Sequence, residues 1–390
     1  MTGRDIFIVC NTVDDLGGVQ RWAHRTAELL TGRGHRVTLV GIARSAEPHP
    51  RRPRAPYRVV TLHGPWRPPA LAWRPASAWA RLNVRARLRD RWRTAVQRRG
   101  AERLAALLRA ARPGGVVIVA QVWAMEWVRL AGTGGLKVIA MSHESYQAAR
   151  ASSRYRRIWE LYPSADRMLT LTAEDADAWA RAGMTNVDHM PNPLPFSPAA
   201  RADLDAPVVA CLGRLSHEKG VDMALEAWAE ASAAHPGWRL RIHGSGPEEE
   251  ALRAQARALG IAGTVEFCGP APDAAAALAQ ASVFLLPSRQ EGLPMSLMEA
   301  MACGLPAVAF DCAPGVRELL TDEVDGLLVP PGHVPALAAA LRRLMGDGDL
   351  RRKLGDNAVA GVRRLHPDTV LDRWERLLEL LHRDEHDFSS

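Results

Sequence analysis

The stretch SRQEGLPMSLMEAMACGLPAVAF, from Ser288 to Phe310, holds the residues best suited to chemistry. Glu291 and Glu299 stand eight apart in an otherwise apolar block, on either side of Gly292 and Pro294. The preceding VFLLPS reads as a strand ending near Ser288. Pro294 fits the first position of the next helix, and Gly304 would end that helix. Glu291 then lies in the loop before the helix, and Glu299 lies on it. The free N–H groups at such a helix start attract phosphate. Two carboxylates beside an anion site suit the hydroxyl groups flanking the anion, as in a diphosphate with a sugar at each end.

Three further features share this logic. GRLSHEKG, from Gly213 to Gly220, places Arg214 and Lys219 in the turn after a strand. A guanidinium fork and an ammonium at a strand's carboxyl end suit a diphosphate. LGGVQ carries Gly17 and Gly18, which let the backbone approach a ligand closely. SHES puts His143 at the end of another strand. Each has an ordinary reading taken alone: solvated carboxylates, solvated cations, a tight turn, a structural histidine. Together they all fall at strand ends, in the order one ligand crevice would need.

The elements that must position these residues alternate strand and helix in two series. The first comprises DIFIVCNTV, HRVTLVGI, GVVIVAQVW, LKVIAMSH and DRMLTLT as strands, with helical text near each; one helix, RWAHRTAELLTGRG, ends at Gly34. A proline-rich stretch between Pro191 and Pro207 reads as a linker. The alternation restarts with VVACLGRL, WRLRIHG, TVEFCG, VFLLPS and LPAVAF, and helices finish the chain from about Val334. Buried apolar runs alternating with amphipathic helices give βαβ units and parallel sheets. The expected fold class is α/β, with two Rossmann-like doubly wound domains facing a cleft. Ligands bind at the carboxyl ends of such strands.

Composition sets the bounds. The chain has 390 residues, 47% of them hydrophobic and 24% charged, an ordinary globular balance large enough for two domains. No apolar run reaches the roughly 18 residues of a membrane span. The first residues run straight into a strand-like block without a signal-peptide layout, so a cytoplasmic location is expected. Cys10, Cys211, Cys268, Cys303 and Cys312 are scattered, which argues against a disulfide framework and a zinc site. The net charge of +7 is uneven: residues 1–200 hold 31 Lys and Arg against 15 Asp and Glu, and residues 201–390 hold 19 against 28.

The E-x7-E motif EGLPMSLME followed by AMACGLPAVAF, the GRLSHEKG turn, the weaker Gly-Gly loop and the MPNPLPF segment together resemble the retaining nucleotide-sugar glycosyltransferases of family 4, with the glycosyltransferase-B fold. The resemblance covers nearly the whole chain. It implies an acceptor-binding domain over 1–190, a linker over 191–206, and a nucleotide-sugar domain over 207–366. It also implies a last helix, about 367–386, packed back on the first domain. Arg214 and Lys219 would hold the donor diphosphate, Glu299 the ribose, and Glu291 hydroxyls of the transferred sugar. Backbone N–H groups over Gly292, Leu293, Met295 and Ser296 would touch sugar and phosphate. Gly17 and Gly18 would face the distal phosphate, and His143 the reacting sugar. The base would lie near Gly244, Ser245 and Gly246, with Cys268 and Gly269.

The implied reaction moves a hexosyl or N-acetylhexosaminyl unit to a hydroxyl acceptor, with a UDP-sugar favoured over a GDP-sugar. The acceptor would be a cell-envelope glycan, a glycolipid or a secondary metabolite. Glu291, His143, Arg214 and Lys219 would form the catalytic set, with no essential metal. Three Asp-x-Asp triplets, at 175–177, 203–205 and 347–349, invite a metal reading, but none follows a convincing strand. Rival readings are a nucleotide-sugar 2-epimerase and a non-catalytic nucleotide-sugar binder.

One stretch stands outside this scheme. Residues 44–112 hold 18 arginines and three acidic residues, with Trp66, Trp73, Trp79 and Trp92. ARLNVRARLRDRWRTAVQRR reads as a helix with Leu82, Leu88, Trp92 and Val96 among its apolar positions. Arginine and tryptophan over 66–99 suit an anionic membrane surface, hence a peripheral place on the inner face of the membrane and an anionic or lipid-linked acceptor. The competing reading is a solvated arginine-rich face. No nucleic-acid partner is expected, because no recognised module accompanies the charge.

Overall fold

The computed structural model describes residues 3–15, 17–45, 55–64, 84–196, 198 and 201–383. The chain divides into two units, residues 1–190 with 371–390, and residues 191–370. The described part of the first unit opens with β1 (Asp5–Cys10), α1 (Gly18–Gly32), β2 (Arg36–Gly41) and β3 (Arg58–Thr61). It continues with α2 (Val84–Arg109), β4 (Val116–Val119), α3 (Ala124–Ala131), β5 (Lys137–Met141), α4 (Tyr146–Arg150), α5 (Arg154–Leu161), β6 (Arg167–Thr170), α6 (Ala173–Arg181) and β7 (Val187–His189). The seven strands are all parallel, in the order β3-β2-β1-β4-β5-β6-β7.

The second unit holds β8 (Val208–Leu212), α7 (Val221–Ser232), β9 (Arg239–His243), α8 (Glu249–Ala258), β10 (Val265–Gly269) and α9 (Ala274–Ala279). After these come β11 (Val283–Leu286), α10 (Met295–Ala302), β12 (Ala307–Phe310), α11 (Pro314–Leu319), β13 (Gly326–Val329), α12 (Val334–Gly346) and α13 (Gly348–Val362). The last helix is α14 (Pro367–Arg383). Its six-stranded sheet is parallel in the order β10-β9-β8-β11-β12-β13.

Both sheets are covered by helices, which is why their strands read as unbroken apolar runs rather than alternating ones. Ile6, Ile8 and Val9 in β1, and Val283, Phe284 and Leu285 in β11, are fully buried. Each such side chain contributes roughly 1.5–3 kcal/mol of burial. In both units the strand order reverses beside the first strand, between β1 and β4 and between β8 and β11. Parallel doubly wound sheets open a crevice at this point, beyond the carboxyl ends.

Three strands, β3, β7 and β13, are absent from the sequence reading. All lie at sheet edges; RVVT and VDH are short and not apolar enough to read as buried strands, whereas GLLV is apolar and largely buried yet was missed. The reading also runs several strands too long: GVVIVAQVW contains only Val116–Val119, and Trp123 already caps α3. Trp66, Trp73, Trp79 and Leu82 lie outside the described residues, while α2 begins at Val84. No described helix is long and apolar enough to cross a membrane.

The described residues of the Pro-rich stretch after β7 carry no helix or strand, yet Pro191 to Leu194 are buried and the Leu194 amide donates to the Leu365 carbonyl at 2.9 Å. The last helix belongs to the first unit from Leu371 onward. Within that unit, Arg33 pairs with Asp372 at 2.9 Å, and His35 Nε2 meets Glu375 Oε1 at 2.8 Å. The Arg4 amide donates to His35 Nδ1 at 3.1 Å, so the Nε2–H is the donor to Glu375. Trp374 is 1% exposed on the same helix. Trp374→Ala should therefore destabilise the chain by about 3–5 kcal/mol. A urea midpoint unchanged from wild type would show that α14 is not part of this core.

Candidate functional site

The second unit gathers most of the singled-out residues along one sheet edge. From β10 across to β11, the loops at the carboxyl ends are hydrogen-bonded into a rim. The Gly244 amide donates to the Gly269 carbonyl at 2.8 Å, Gly213 to His243 at 3.0 Å, and Leu215 to Ser245 at 3.0 Å. Gly244 has a left-handed φ of 153°, and a Cβ there would lie 1.8 Å from the Gly213 carbonyl oxygen. A Cβ at Gly246 would meet the Leu215 carbonyl oxygen at 2.2 Å. These two glycines are thus required by the packing of the 213–215 turn, whatever base or ligand lies beside them.

At the switch point the β8 and β11 loops close on each other. Gly220 has φ 62°, and a Cβ there would lie 2.0 Å from the Pro287 carbonyl oxygen. The Arg289 amide donates to the Glu218 carbonyl at 2.9 Å. Its guanidinium reaches the His217 carbonyl at 2.9 Å and grips Asp222 in bidentate fashion at 2.7 and 2.6 Å. This fork holds the Asp222 carboxyl below the usual range, with burial opposing it.

Held in this way, Lys219 Nζ donates to Glu291 Oε1 at 2.7 Å, and Ser288 Oγ donates to the same oxygen at 2.7 Å. Glu291 is 9% exposed and Ser288 is 1% exposed. Both bonds fall on Oε1, leaving Oε2 outside the pair. Cys312 lies near enough that burial and the Glu291 carboxylate push its thiol up to about 12, which leaves it a neutral thiol at neutral pH. Arg214 sits on the same turn, exposed, and takes no part in the Lys219–Glu291–Ser288 contact.

The helix after this loop begins at Met295, not Pro294. Pro294 stays extended at φ −69°, ψ 109°, and its carbonyl accepts the Met298 amide at 3.2 Å. The start of α10 has no side-chain cap and no acidic residue in its first turn, so its leading amides keep their donor capacity. Leu293 is 4% exposed, and Met295 and Ser296 are half-buried. Glu299 is 1% exposed on α10. The loop is pinned from below, because a Cβ at Gly315 would lie 1.7 Å from the Gly292 carbonyl oxygen.

In the first unit, α1 starts at Gly18 with Gly17 as cap and again has no side-chain cap and no acidic residue in its first turn. A Cβ at Gly18 would meet nothing within 4 Å, whereas one at Gly17 would press on the Gln20 side chain. His143 follows β5. Its ring packs edge-on against Trp22 of α1 with centroids 4.6 Å apart. Its Nε2 is buried without a partner among the described residues, and burial pushes its pKa down to about 4. Glu144 pairs with Arg154 at 2.8 Å, but burial outweighs that cation and raises the carboxyl.

The Asp-x-Asp triplets serve local structure. Asp175 accepts from Thr172 Oγ1 and the Tyr146 amide, both at 2.7 Å, Asp203 accepts the Asp205 amide at 3.1 Å, and Asp347 caps α13. Among the described residues no cluster of His, Cys, Asp and Glu could hold a metal ion. Ser288, Arg289 and Asp222 were not singled out by sequence reasoning. Their signal is the strand order, which alone puts the two loops side by side.

Residues 16–197 match the family model for Glycosyltransferase Family 4, and residues 196–360 match that for Glycosyl transferases group 1. Both units are glycosyltransferase domains. The chain is 39% identical over 227 residues to an exopolysaccharide phosphotransferase from Streptomyces coelicolor, covering 57% of this chain and 24% of that protein. It is 32% identical over 215 residues to an uncharacterized glycosyltransferase from Haemophilus influenzae, covering 55% and 61%. The chain therefore spans less than two thirds of either relative. Anabaena HepE, solved in complex with UDP-glucose, aligns at TM-score 0.75 over 96% of this chain and 99% of that one, at 17% identity. The two glycosyltransferase domains thus have the glycosyltransferase-B fold.

Two outcomes follow. Gly220→Ala should destabilise this glycosyltransferase chain by about 1–3 kcal/mol through strain at positive φ, while Gly18→Ala should stay within about 0.5 kcal/mol of wild type. Equal urea midpoints for the two variants would contradict the packing of the 217–222 turn. The second concerns His143, whose folded value near 4 lies below the ordinary 6.5. Between those values the unfolded chain binds more protons, so stability should fall as pH drops from about 6.5 to about 4, by at most about 1.4 kcal/mol per unit. Urea titrations of wild type and His143→Gln across that window should diverge; parallel curves would contradict a buried neutral imidazole.

Proposed function

We propose that the chain is a retaining glycosyltransferase that moves a hexosyl or N-acetylhexosaminyl unit from a UDP-sugar to a hydroxyl acceptor without an essential metal. The observation that carries this reading is the Lys219–Glu291–Ser288 contact beside the uncapped start of α10, at the switch point of the second unit. A cation and a row of free amides fit a diphosphate, and a buried carboxylate with one oxygen outside the contact fits sugar hydroxyls. The UDP-glucose bound to Anabaena HepE supports a uridine donor for a chain of the same fold.

In this reading the C–O bond between sugar and diphosphate breaks with its electron pair leaving on the phosphate oxygen. Lys219, Arg214 and the α10 amides stabilise that charge, a contribution preorganised before the reaction starts. These donors supply the positive charge that a metal ion would otherwise bring. The acceptor hydroxyl adds to the same face of the sugar, and its proton passes to the leaving phosphate. Glu291 serves as a binding residue. Two hydrogen bonds on Oε1, one from a cation, draw charge from the carboxylate and oppose its use as the nucleophile known from retaining glycosidases. Glu299 holds the ribose. The neutral imidazole of His143 suits an uncharged hydroxyl partner better than an anion. The acceptor is a cell-envelope glycan, glycolipid or secondary metabolite. The 2-epimerase and non-catalytic readings are not favoured.

The test is sugar release and transfer from UDP-, GDP-, ADP- and TDP-sugars with EDTA present, beside calorimetry with the nucleoside diphosphates. One uridine donor should turn over regardless of EDTA. Lys219→Ala and Arg214→Ala should each weaken UDP binding by roughly tenfold or more, as expected for lost charge-assisted bonds. Glu291→Ala should abolish turnover while retaining UDP binding. Loss of turnover with EDTA would overturn the metal-free reading, and no nucleotide binding in wild type would overturn the site.

A further inference from the structure

Trp123 is 40% exposed, although an indole is among the side chains that gain most from burial. It follows β4 and precedes α3, so it stands at the carboxyl end of β4. In the strand order β1-β4-β5, that end lies between the Gly17–Gly18 loop after β1 and His143 after β5. The Asn11 amide donates to Gln121 Oε1 at 3.0 Å, which ties the β1 and β4 loops together. The ring itself is held in place. The Arg157 guanidinium carbon lies over it, 5.4 Å from the ring centroid, within the range of a cation–π contact. Arg157 is 5% exposed and donates to Glu126 Oε1 at 2.6 Å, and Gln97 of α2 donates to Glu126 Oε2 at 3.3 Å. Helices α2, α3 and α5 thus seat a buried cation against one face of the indole, and the exposure falls on the rest of the ring. The same helix α5 brings polar partners. Arg154, three residues before Arg157 and so on the same helix face, donates to Glu144 Oε2 at 2.8 Å. Both side chains of this pair reach solvent. Glu144 follows His143, whose Nε2 is buried without a partner among the described residues.

We propose that Trp123 is the platform for a sugar ring of the acceptor, with the hydroxyls of that ring turned toward the Glu144–Arg154 pair. This rests on the transferase reading above and narrows its acceptor to a molecule that itself carries a pyranose ring. Such a ring has two kinds of surface. One face carries C–H bonds with partial positive charge, and the rim carries hydroxyls. The face of an indole is negative, so the C–H face stacks on it. The hydroxyl rim needs donors and acceptors beside the ring, and a guanidinium with a carboxylate supplies both. Other acceptors use only half of this arrangement. A long-chain alcohol would offer the Glu144–Arg154 pair nothing beyond its single hydroxyl. A phenol would cover the indole but has no rim of hydroxyls for the pair. Trp123 then sets which acceptor is taken, while the residues around Lys219 and Glu291 hold the donor.

Saturation-transfer NMR on the full chain, with and without UDP, tests it. The probes are the methyl α- and β-pyranosides of glucose, galactose, mannose and N-acetylglucosamine, with 1-decanol and phenol as non-sugar probes. The wild type should bind at least one methyl pyranoside. Trp123→Ala should weaken that binding by about tenfold or more, and Trp123→Phe should recover part of it, because a smaller flat face remains. Glu144→Gln should weaken it as well. UDP affinity, read by calorimetry, should be the same in all three variants. If Trp123→Ala melts early because Arg157 is uncovered, Trp123→Leu, which keeps an apolar cover without a π face, is compared with Trp123→Phe instead. Binding of no pyranoside overturns the platform, as does pyranoside binding undiminished in Trp123→Leu. So does a preference for phenol or decanol that Trp123→Leu removes, or a dimer that Trp123→Leu dissolves, which would make Trp123 a protein contact. A wild type that binds a pyranoside through Trp123 but no UDP would overturn the donor site and leave the platform standing.

Discussion

Everything in the second unit's site depends on one backbone constraint. Gly220 occupies a left-handed conformation with its Cα pressed against the Pro287 carbonyl, a place no side chain can enter. That approach lets the turn after β8 and the loop after β11 lie against each other, and the Arg289–Asp222 fork fastens them. Lys219 and Glu291, 72 positions apart in sequence, then share a 2.7 Å bond. The ammonium and carboxylate are balanced at rest. A diphosphate entering there would compete for the ammonium and leave Glu291 with Ser288. The site therefore holds its charges in a preorganised but exchangeable pair, which costs less than burying either charge alone.

The first unit solves a different problem. The turn after β5 buries the His143 imidazole against Trp22, with Nε2 left without a partner among the described residues, and that burial keeps the ring neutral at neutral pH. A neutral ring both accepts and donates at neutral pH, which suits sugar hydroxyls. The same unit takes the last helix, with His35 bonded to Glu375 and Trp374 in its core.

The central strands and the order of strand and helix were legible because parallel sheets bury both faces and write themselves as apolar runs. The edge strands β3 and β7 were not, since an edge half exposed to water needs no such run; the edge β10 was read from TVEFCG, while the apolar edge β13 was missed. Glu291, Lys219 and Arg214 stood out as charges at strand ends, and Glu299 as a carboxylate on the helix that follows. Ser288 and Arg289 did not, because their importance comes from a neighbour supplied by the reversal of strand order. Gly244 and Gly246 were legible as unusual but for a different reason: packing of the 213–215 turn already requires them. Pro294 misled by one position. Its ring is compatible with a first helical residue, but its extended ψ makes it the cap.

A crystal structure of the full chain with UDP bound tests most directly whether the diphosphate of a nucleotide-sugar lies at the β8–β11 switch point. The diphosphate should lie within hydrogen-bond distance of Lys219 Nζ and of the leading amides of α10, with the ribose at Glu299. A diphosphate bound elsewhere in the second unit, with the Lys219–Glu291 pair untouched, would contradict it.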